Sequence, residues 1–268
     1  MNQVWSKLIK ILGAVLGVVA LFVLLITAVS ASNEIRLKHA VVKIDYAGEN
    51  FFIDEDQIEE TIFDLGYLID STLLRDINPG NLEHLLENTA FIQEAEVYAE
   101  LNGDLHLDVK ARKPVVRVFN DLGISVYIDH EGSIMPLSSK FTARVPVANG
   151  NITLMLHQYI GKNISELAKL TDHPDVEVLV DIYTVAQTCS KSKFWSSQIN
   201  QLYVNRDKEI ELIPRVGDHH ILIGHSNDLD KKLNKLKYFY AEGLDKTGWN
   251  EYKVINLKYA NQVVCTKS

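Results

Sequence analysis

The hydrophobic pattern is dominated by one run, Ile11 to Val29 (ILGAVLGVVALFVLLITAV), which carries no charge; the first acid after it is Glu34. About twenty apolar residues, at ~1.5 Å rise each, span a hydrocarbon core of ~30 Å. A cleaved signal peptide is the competing reading, with Lys7 and Lys10 as its basic region and Ala28-Val29-Ser30 as its cleavage site. The run is longer than the ~7–15 residues of a signal core. The pattern therefore predicts a short tail over residues 1–10 and a retained transmembrane helix over residues 11–32. Long domains translocate largely regardless of flanking charge, so the tail is expected inside and the bulk of the chain outside. Gly13 and Gly17, four apart, offer a small-residue face for helix pairing.

Past Asn33 the pattern is that of a water-soluble chain. Val41 to Ile44 reads as a strand. A helix follows from Asp54, where Gln57 completes a capping box and Ile53 and Ile58 can staple the entry. Ile58, Ile62 and Leu65 form its apolar face and Gly66 ends it. Asn78 and Pro79 open a second helix with Leu82, Leu85 and Leu86 inward. Then Ala95, Val97, Ala99 and Leu101 alternate with polar residues, Asn102-Gly103 turns, and Leu105, Leu107, Val109 and Ala111 alternate back. Asn-Gly tolerates the positive φ angles of a two-residue hairpin. The order strand, helix, helix, strand, strand over residues 39–113 resembles a POTRA domain, with any small α+β sandwich as the alternative.

Pro114 breaks the chain out of this module, and residues 114–268 read as a second, β-rich α+β domain. A helix is predicted over Val176 to Ser190, with Val176, Leu179, Val180, Tyr183 and Ala186 on one face. Leu202 to Val204, Glu209 to Ile213 and His219 to Ile223 read as strands. A second helix is expected from Asp228 to about Ala241, with Leu229, Leu233, Leu236 and Tyr240 inward and Lys231, Lys232, Lys235 and Lys237 on a solvated face. Val254 to Leu257 and Gln262 to Val264 would close a sheet.

Charge narrows the partners. Of 27 Lys and Arg only Lys7 and Lys10 precede Glu34, so the remainder sets 25 bases against 35 acids, a net of −10. That opposes nucleic acid and anionic lipid, which both need a basic patch. Two cysteines, Cys189 and Cys265, imply no disulfide framework, although one bridge is conceivable.

Candidate chemistry is thin. Ser190-Lys191-Ser192-Lys193 fits Ser-x-x-Lys and Lys246-Thr247-Gly248 fits a Lys-Thr-Gly element, which together suggest a membrane-anchored, penicillin-binding type of cell-wall enzyme. Against it, Ser190 falls at a predicted helix end, Lys-Thr-Gly falls in a turn-like stretch, and no Ser-Asx-Asn lies between them. His219 and His220 are adjacent in a strand and point to opposite faces, so with His225 they make a poor metal set. Asp129-His130-Glu131 reads as a surface turn, and Asn151 and Asn163 begin glycosylation sequons of a kind that arise often by chance. No catalytic residue, metal ligand or cofactor is assigned.

Taken in order, Arg112-Lys113-Pro114-Val115, Tyr127-Ile128-Asp129-His130-Glu131-Gly132, Pro146-Val147 with Gly150, and Val254 to Val264 resemble the FtsQ/DivIB family of bacterial cell-division proteins. The family closes on Asp-Leu-Arg-Tyr, where this chain has Asn256-Leu257-Lys258-Tyr259. The resemblance implies a single-pass inner-membrane protein of the division septum, with an inner tail, one membrane helix, a periplasmic POTRA domain and a β domain. It implies a scaffold rather than an enzyme. Its last strand receives a small coiled-coil division protein of the FtsB type, itself paired with an FtsL-type partner. Carried onto this chain, the partner-binding edge is Lys258, Tyr259, Asn261, Val263 and Val264. Other inner-membrane division proteins would meet the POTRA domain, through a strand edge at Val41 to Ile44. A POTRA-bearing export factor is a weaker reading, because no set of barrel-forming segments follows.

Overall fold

The structure is a computed structural model that describes residues 12–13, 15–24, 34–46, 48, 50–244, 246 and 248–267. Residues 12–13 and 15–24 are helical. Among the described residues no helix is long and apolar enough to cross a membrane. The tail expected at 1–10, and the remainder of the span expected over 11–32, lie outside the described residues. The described residues divide into two compact units, one within residues 1–45 and 53–110, the other within residues 46–52 and 111–268.

The first unit is a three-stranded sheet with two helices on one face. Strands β1 (His39–Asp45), β2 (Ile92–Ala99) and β3 (Asp104–Ala111) stand in the order β1-β3-β2, with β1 parallel to β3. Helix α1 (Glu55–Asp64) starts at the expected capping box: Asp54 accepts from the Gln57 N–H at 3.1 Å while the Gln57 side chain accepts from the Asp54 N–H. Helix α2 (Pro79–Glu87) starts at Asn78, whose side chain accepts from the Asn81 N–H. Ile58, Ile62, Leu82 and Leu86 pack on Leu105, Leu107 and Val109 in one core. Leu85, expected inward, is at the surface. The hairpin also departs from expectation. The Gly103 N–H reaches back to the Glu100 carbonyl and only Gly103 takes a positive φ, +105°. That geometry is a type I turn closed by a glycine bulge. It places Leu101 at the tip, 78% exposed, instead of in the strand.

The second unit is built on one nine-stranded sheet, in the order β12-β11-β10-β9-β8-β7-β4-β5-β6. From one end to the other these are β12 (Val264–Lys267), β11 (Tyr252–Asn256), β10 (His220–Gly224), β9 (Ile210–Pro214), β8 (Ile199–Val204), β7 (Val147–Gly150), β4 (Pro114–Phe119), β5 (Ser125–Asp129) and β6 (Ile134–Met135). A long helix, here α4 (Asp175–Lys191) after the short α3 (Ile164–Leu170), buries Val178, Leu179, Ile182, Val185 and Ala186 in a common core with the sheet. Val180, expected inward, faces out. After α5 (Lys193–Gln198), α6 (Leu229–Phe239) buries Leu229, Leu233 and Leu236 as expected and continues into a π-helical turn, Tyr240–Leu244.

Three sequence motifs acquire structural reasons. Asp129 is fully buried; its Oδ2 accepts from Arg112 at 2.9 Å and its Oδ1 accepts the N–H groups of Glu131 and Ser133. The Tyr-Ile-Asp-x-x-Gly segment is therefore a carboxylate-capped turn between β5 and β6. Gly150 has φ +111°, and a Cβ there would fall on the Val204 carbonyl oxygen, so no other residue fits. Asn151 and Asn163 spend their side-chain amides on carbonyls, those of Val204 and Glu131 respectively.

Candidate functional site

The two ends of the nine-stranded sheet are built differently, and the candidate site is the end at β12. At the other end, β6 is two residues long and its outer side is taken by the chain itself. The Ile134 N–H donates to the Lys162 carbonyl at 2.9 Å, the Gly161 N–H donates to the Ile134 carbonyl at 2.8 Å, and Ser133 bridges Asn163. Ile134 and Met135 are 1% and 0% exposed. At β12 the strand neighbour is β11, with Asn256 opposite Val264, Ile255 opposite Cys265, Val254 opposite Thr266 and Tyr252 opposite Lys267. Register shifts between Tyr252 and Val254. Val264, Thr266 and Lys267 are exposed. Among the described residues no other strand covers the outer side of β12.

Of the five residues expected to meet a partner, only Val264 lies in β12. Val263 immediately precedes it and packs partly against the core. Lys258, Tyr259 and Asn261 sit in the loop that joins β11 to β12. The expected strand over Gln262 to Val264 in fact begins at Val264 and runs on to Lys267, so Cys265, Thr266 and Lys267 belong to the same edge. Periodicity missed them because Val264-Cys265-Thr266-Lys267 has no apolar alternation. An edge strand with one neighbour has little need of it.

The loop is held from beneath. Lys235 on α6 sends its ammonium to three carbonyls, those of Leu257 at 3.1 Å, Gln262 at 3.2 Å and Tyr259. Its neighbour Lys232 is buried, with Nζ 2.8 Å from the His225 carbonyl and 3.3 Å from Asn227 Oδ1. Burial holds both ammonium groups below their ordinary pKa, with Asp181 and Asp228 partly opposing this at Lys232. The four lysines expected on a solvated face of α6 thus divide. Lys232 and Lys235 are structural, because a long aliphatic stem can lie along apolar surface while its end reaches carbonyls. At the loop's start the Asn256 side chain accepts the Lys258 N–H at 3.0 Å, and the Leu257 N–H donates to the Leu222 carbonyl. A hydrogen-bond acceptor at 256 is all this turn asks, and Asn supplies it as well as Asp. Lys258 reaches Glu209 at 2.5 Å, and that carboxylate keeps its ammonium above the ordinary value. Tyr259 stands 49% exposed.

Groups weighed for chemistry are dispersed. Ser190 lies near the end of α4 and donates to the Gln187 carbonyl, and Thr247 of the Lys-Thr-Gly element lies outside the described residues. The three histidines have separate partners: His219 with Tyr240, His220 with Glu211, His225 with Asp181. Cys189 and Cys265 are both free; burial pushes the Cys189 thiol up to about 12, which removes thiolate reactivity at neutral pH. In the first unit β1 is a sheet edge, and a groove of about 840 Å³ beside it is lined by Ile62, Phe63, Tyr67, Leu68 and Ile69 with Asp56 and Glu59.

Residues 113–266 match the family model described as FtsQ/DivIB, C-terminal related, and residues 38–110 match that of the POTRA-like domain. No curated protein matches the chain.

Proposed function

The chain belongs to the FtsQ/DivIB C-terminal-related family, and from that premise we propose that it is a non-catalytic scaffold of the division septum whose strand β12 accepts a strand from a partner chain. The family points to a cell-division scaffold and is generally non-enzymatic. The observation that carries the finer reading is that no described strand covers the outer side of β12, in a sheet whose opposite end is closed by its own chain. An edge strand offers a row of free N–H and C=O groups, which a partner strand satisfies while side-chain contacts set specificity. The loop carrying Lys258, Tyr259 and Asn261 lies next to that edge, held by Lys235. The partner of this reading is a small coiled-coil division protein of the FtsB type, bound together with an FtsL-type chain. A membrane anchor within residues 11–32, with the bulk of the chain in the periplasm, completes the proposal, and its test is whether alkaline carbonate leaves the protein in the membrane pellet. The first unit would meet other inner-membrane division proteins at the β1 edge; a chain lacking residues 39–113 that still reached the septum would refute that.

Adjacent residues of a strand send their N–H groups to opposite sides. Cys265→Pro and Thr266→Pro therefore separate the two uses of β12. One removes a donor to β11, and the other removes a donor to the outside. The reading requires that one of the two leave the melting transition in place and abolish capture of the coiled-coil partner. Capture by both variants, at wild-type affinity, would contradict strand addition.

A further inference from the structure

The polar face of the first unit carries a group of side chains that the scaffold role does not use. Among the described residues, Glu100, Asp104 and His106 bring one oxygen or nitrogen each to within 4.8 Å of one another. They sit at the hairpin tip. Glu100 is cross-strand from Asp104, since its N–H donates to the Asp104 carbonyl, and Asp104 and His106 are two apart in β3. The side-chain period of two puts those last two on one face, opposite the buried Leu105 and Leu107.

The group is held in place by neighbours that are not themselves ligands. The Asn102 amide donates to Glu100 Oε2 at 3.0 Å and to Asp104 Oδ2 at 2.9 Å, while its oxygen accepts the Asp104 N–H at 2.8 Å. Asp104 Oδ1 lies 2.9 Å from His39 Nδ1. The His106 ring is stacked on Tyr98, at 4.9 Å between centroids and 4° between planes. Two carboxylates are thus held side by side through a neutral amide, with the His39 ring against the other oxygen of Asp104.

His106 Nε2 supplies the second observation. It is shielded from water and makes no hydrogen bond, yet it faces Glu100 Oε1 at 3.4 Å. Two ligand atoms each ~2.1 Å from a tetrahedral zinc ion lie ~3.4 Å apart. One imidazole with two carboxylates suits zinc and its neighbours in the transition series better than calcium or magnesium.

We propose that Glu100, Asp104 and His106 bind one divalent transition-metal ion of the Zn²⁺ class, with Asn102, His39 and Tyr98 orienting the ligands and at least one coordination position left open. The site lies in the first unit, and it stands or falls independently of the scaffold reading.

The test is titration of the full-length chain in detergent with Zn²⁺, read by competition with a fluorescent zinc indicator and by melting temperature. The expected result is saturable one-to-one binding that raises the melting temperature. His106→Ala should remove it, and Asn102→Ala should weaken it by about 10- to 100-fold, the usual effect of losing an orienting group. His220→Ala, an exposed histidine of the other unit, should bind like wild type. Asp104→Asn, which keeps the shape of the turn, gives the same loss if His106→Ala misfolds by circular dichroism. No saturable binding by the wild-type chain, or equal binding by wild type and both ligand variants, overturns the site.

Discussion

β6 and β12 end the same nine-stranded sheet, and the chain treats them in opposite ways. β6 is buried beneath the segment running into α3, so every outward group of Ile134 finds a partner within the chain. Among the described residues β12 has a strand neighbour on one side only, and Val264 is 41% exposed. Soluble proteins blunt or cover exposed edges, because a bare edge recruits strands indiscriminately. This sheet shows that the chain can cover an edge at little expense in length: residues 161–164 suffice at β6. The bare edge is also the one whose flanking loop is pinned by a lysine drawn out of solvent. Under the proposed strand addition, a loop pinned in this way would lower the ordering cost that association carries.

The comparison can be broken from either end. The largest effect is expected at the closed end. Asp129→Ala leaves the Arg112 guanidinium unpaired in a nearly buried site and strips two N–H groups of their acceptor. Unfolding should become about 3–5 kcal/mol easier, as measured by denaturant titration. Partner affinity per folded molecule should stay unchanged. At the open end, Lys235→Met removes three hydrogen bonds from the loop, and Leu257 is the most buried of its acceptors. A loss of about 2 kcal/mol is expected, here accompanied by an affinity for the proposed coiled-coil partner at least tenfold weaker by calorimetry.

Acid should act on the core of the second unit rather than on either edge. Burial holds His219 below its ordinary imidazole value, against the raising influence of the Trp249 backbone. Its neutral form is the folded one, so its contribution is complete above about pH 6.5 and is lost as pH falls from there through the depressed folded value. Asp175 follows at lower pH. Burial alone would raise it, but the Lys208 ammonium at 2.5 Å and the Thr153 donors outweigh that and hold it below the usual carboxylate range. Its contribution is present at neutral pH and disappears as pH falls below about 4. Melting temperatures taken between about pH 7 and pH 3 should decline in these two stages, and His219→Asn should flatten the first. The smallest effect belongs to Lys258→Ala. Its ion pair with Glu209 is partly solvated, and about 0–1 kcal/mol is the expected change.

Much of this was legible in residue order. The cap at Asp54 and Gln57, the Asn78-Pro79 start and the β-α-α-β-β order are local signals, and local chemistry decides them. The misses share a different cause. Lys232 and Lys235 read as solvated because charge dominates their appearance, while their role depends on carbonyls far along the chain. Leu101 reads as a strand residue because alternation runs on into a turn whose bulge only Gly103 reveals. The last strand, expected over Gln262 to Val264, begins at Val264 instead, and Cys265 to Lys267 carry no pattern that marks them as strand. The cluster of Glu100, Asp104 and His106 was written in the spacing around Asn102-Gly103, but only folding the hairpin sets the three side chains together.

Backbone amide exchange, followed by mass spectrometry on the full-length chain with and without the proposed coiled-coil partner, tests the open edge most directly. The account predicts that peptides covering Val264–Lys267 exchange quickly in the free chain and slowly in the complex, while those covering Ile134–Met135 exchange slowly in both. Protection appearing elsewhere, with β12 exchanging equally fast in the complex, would contradict it.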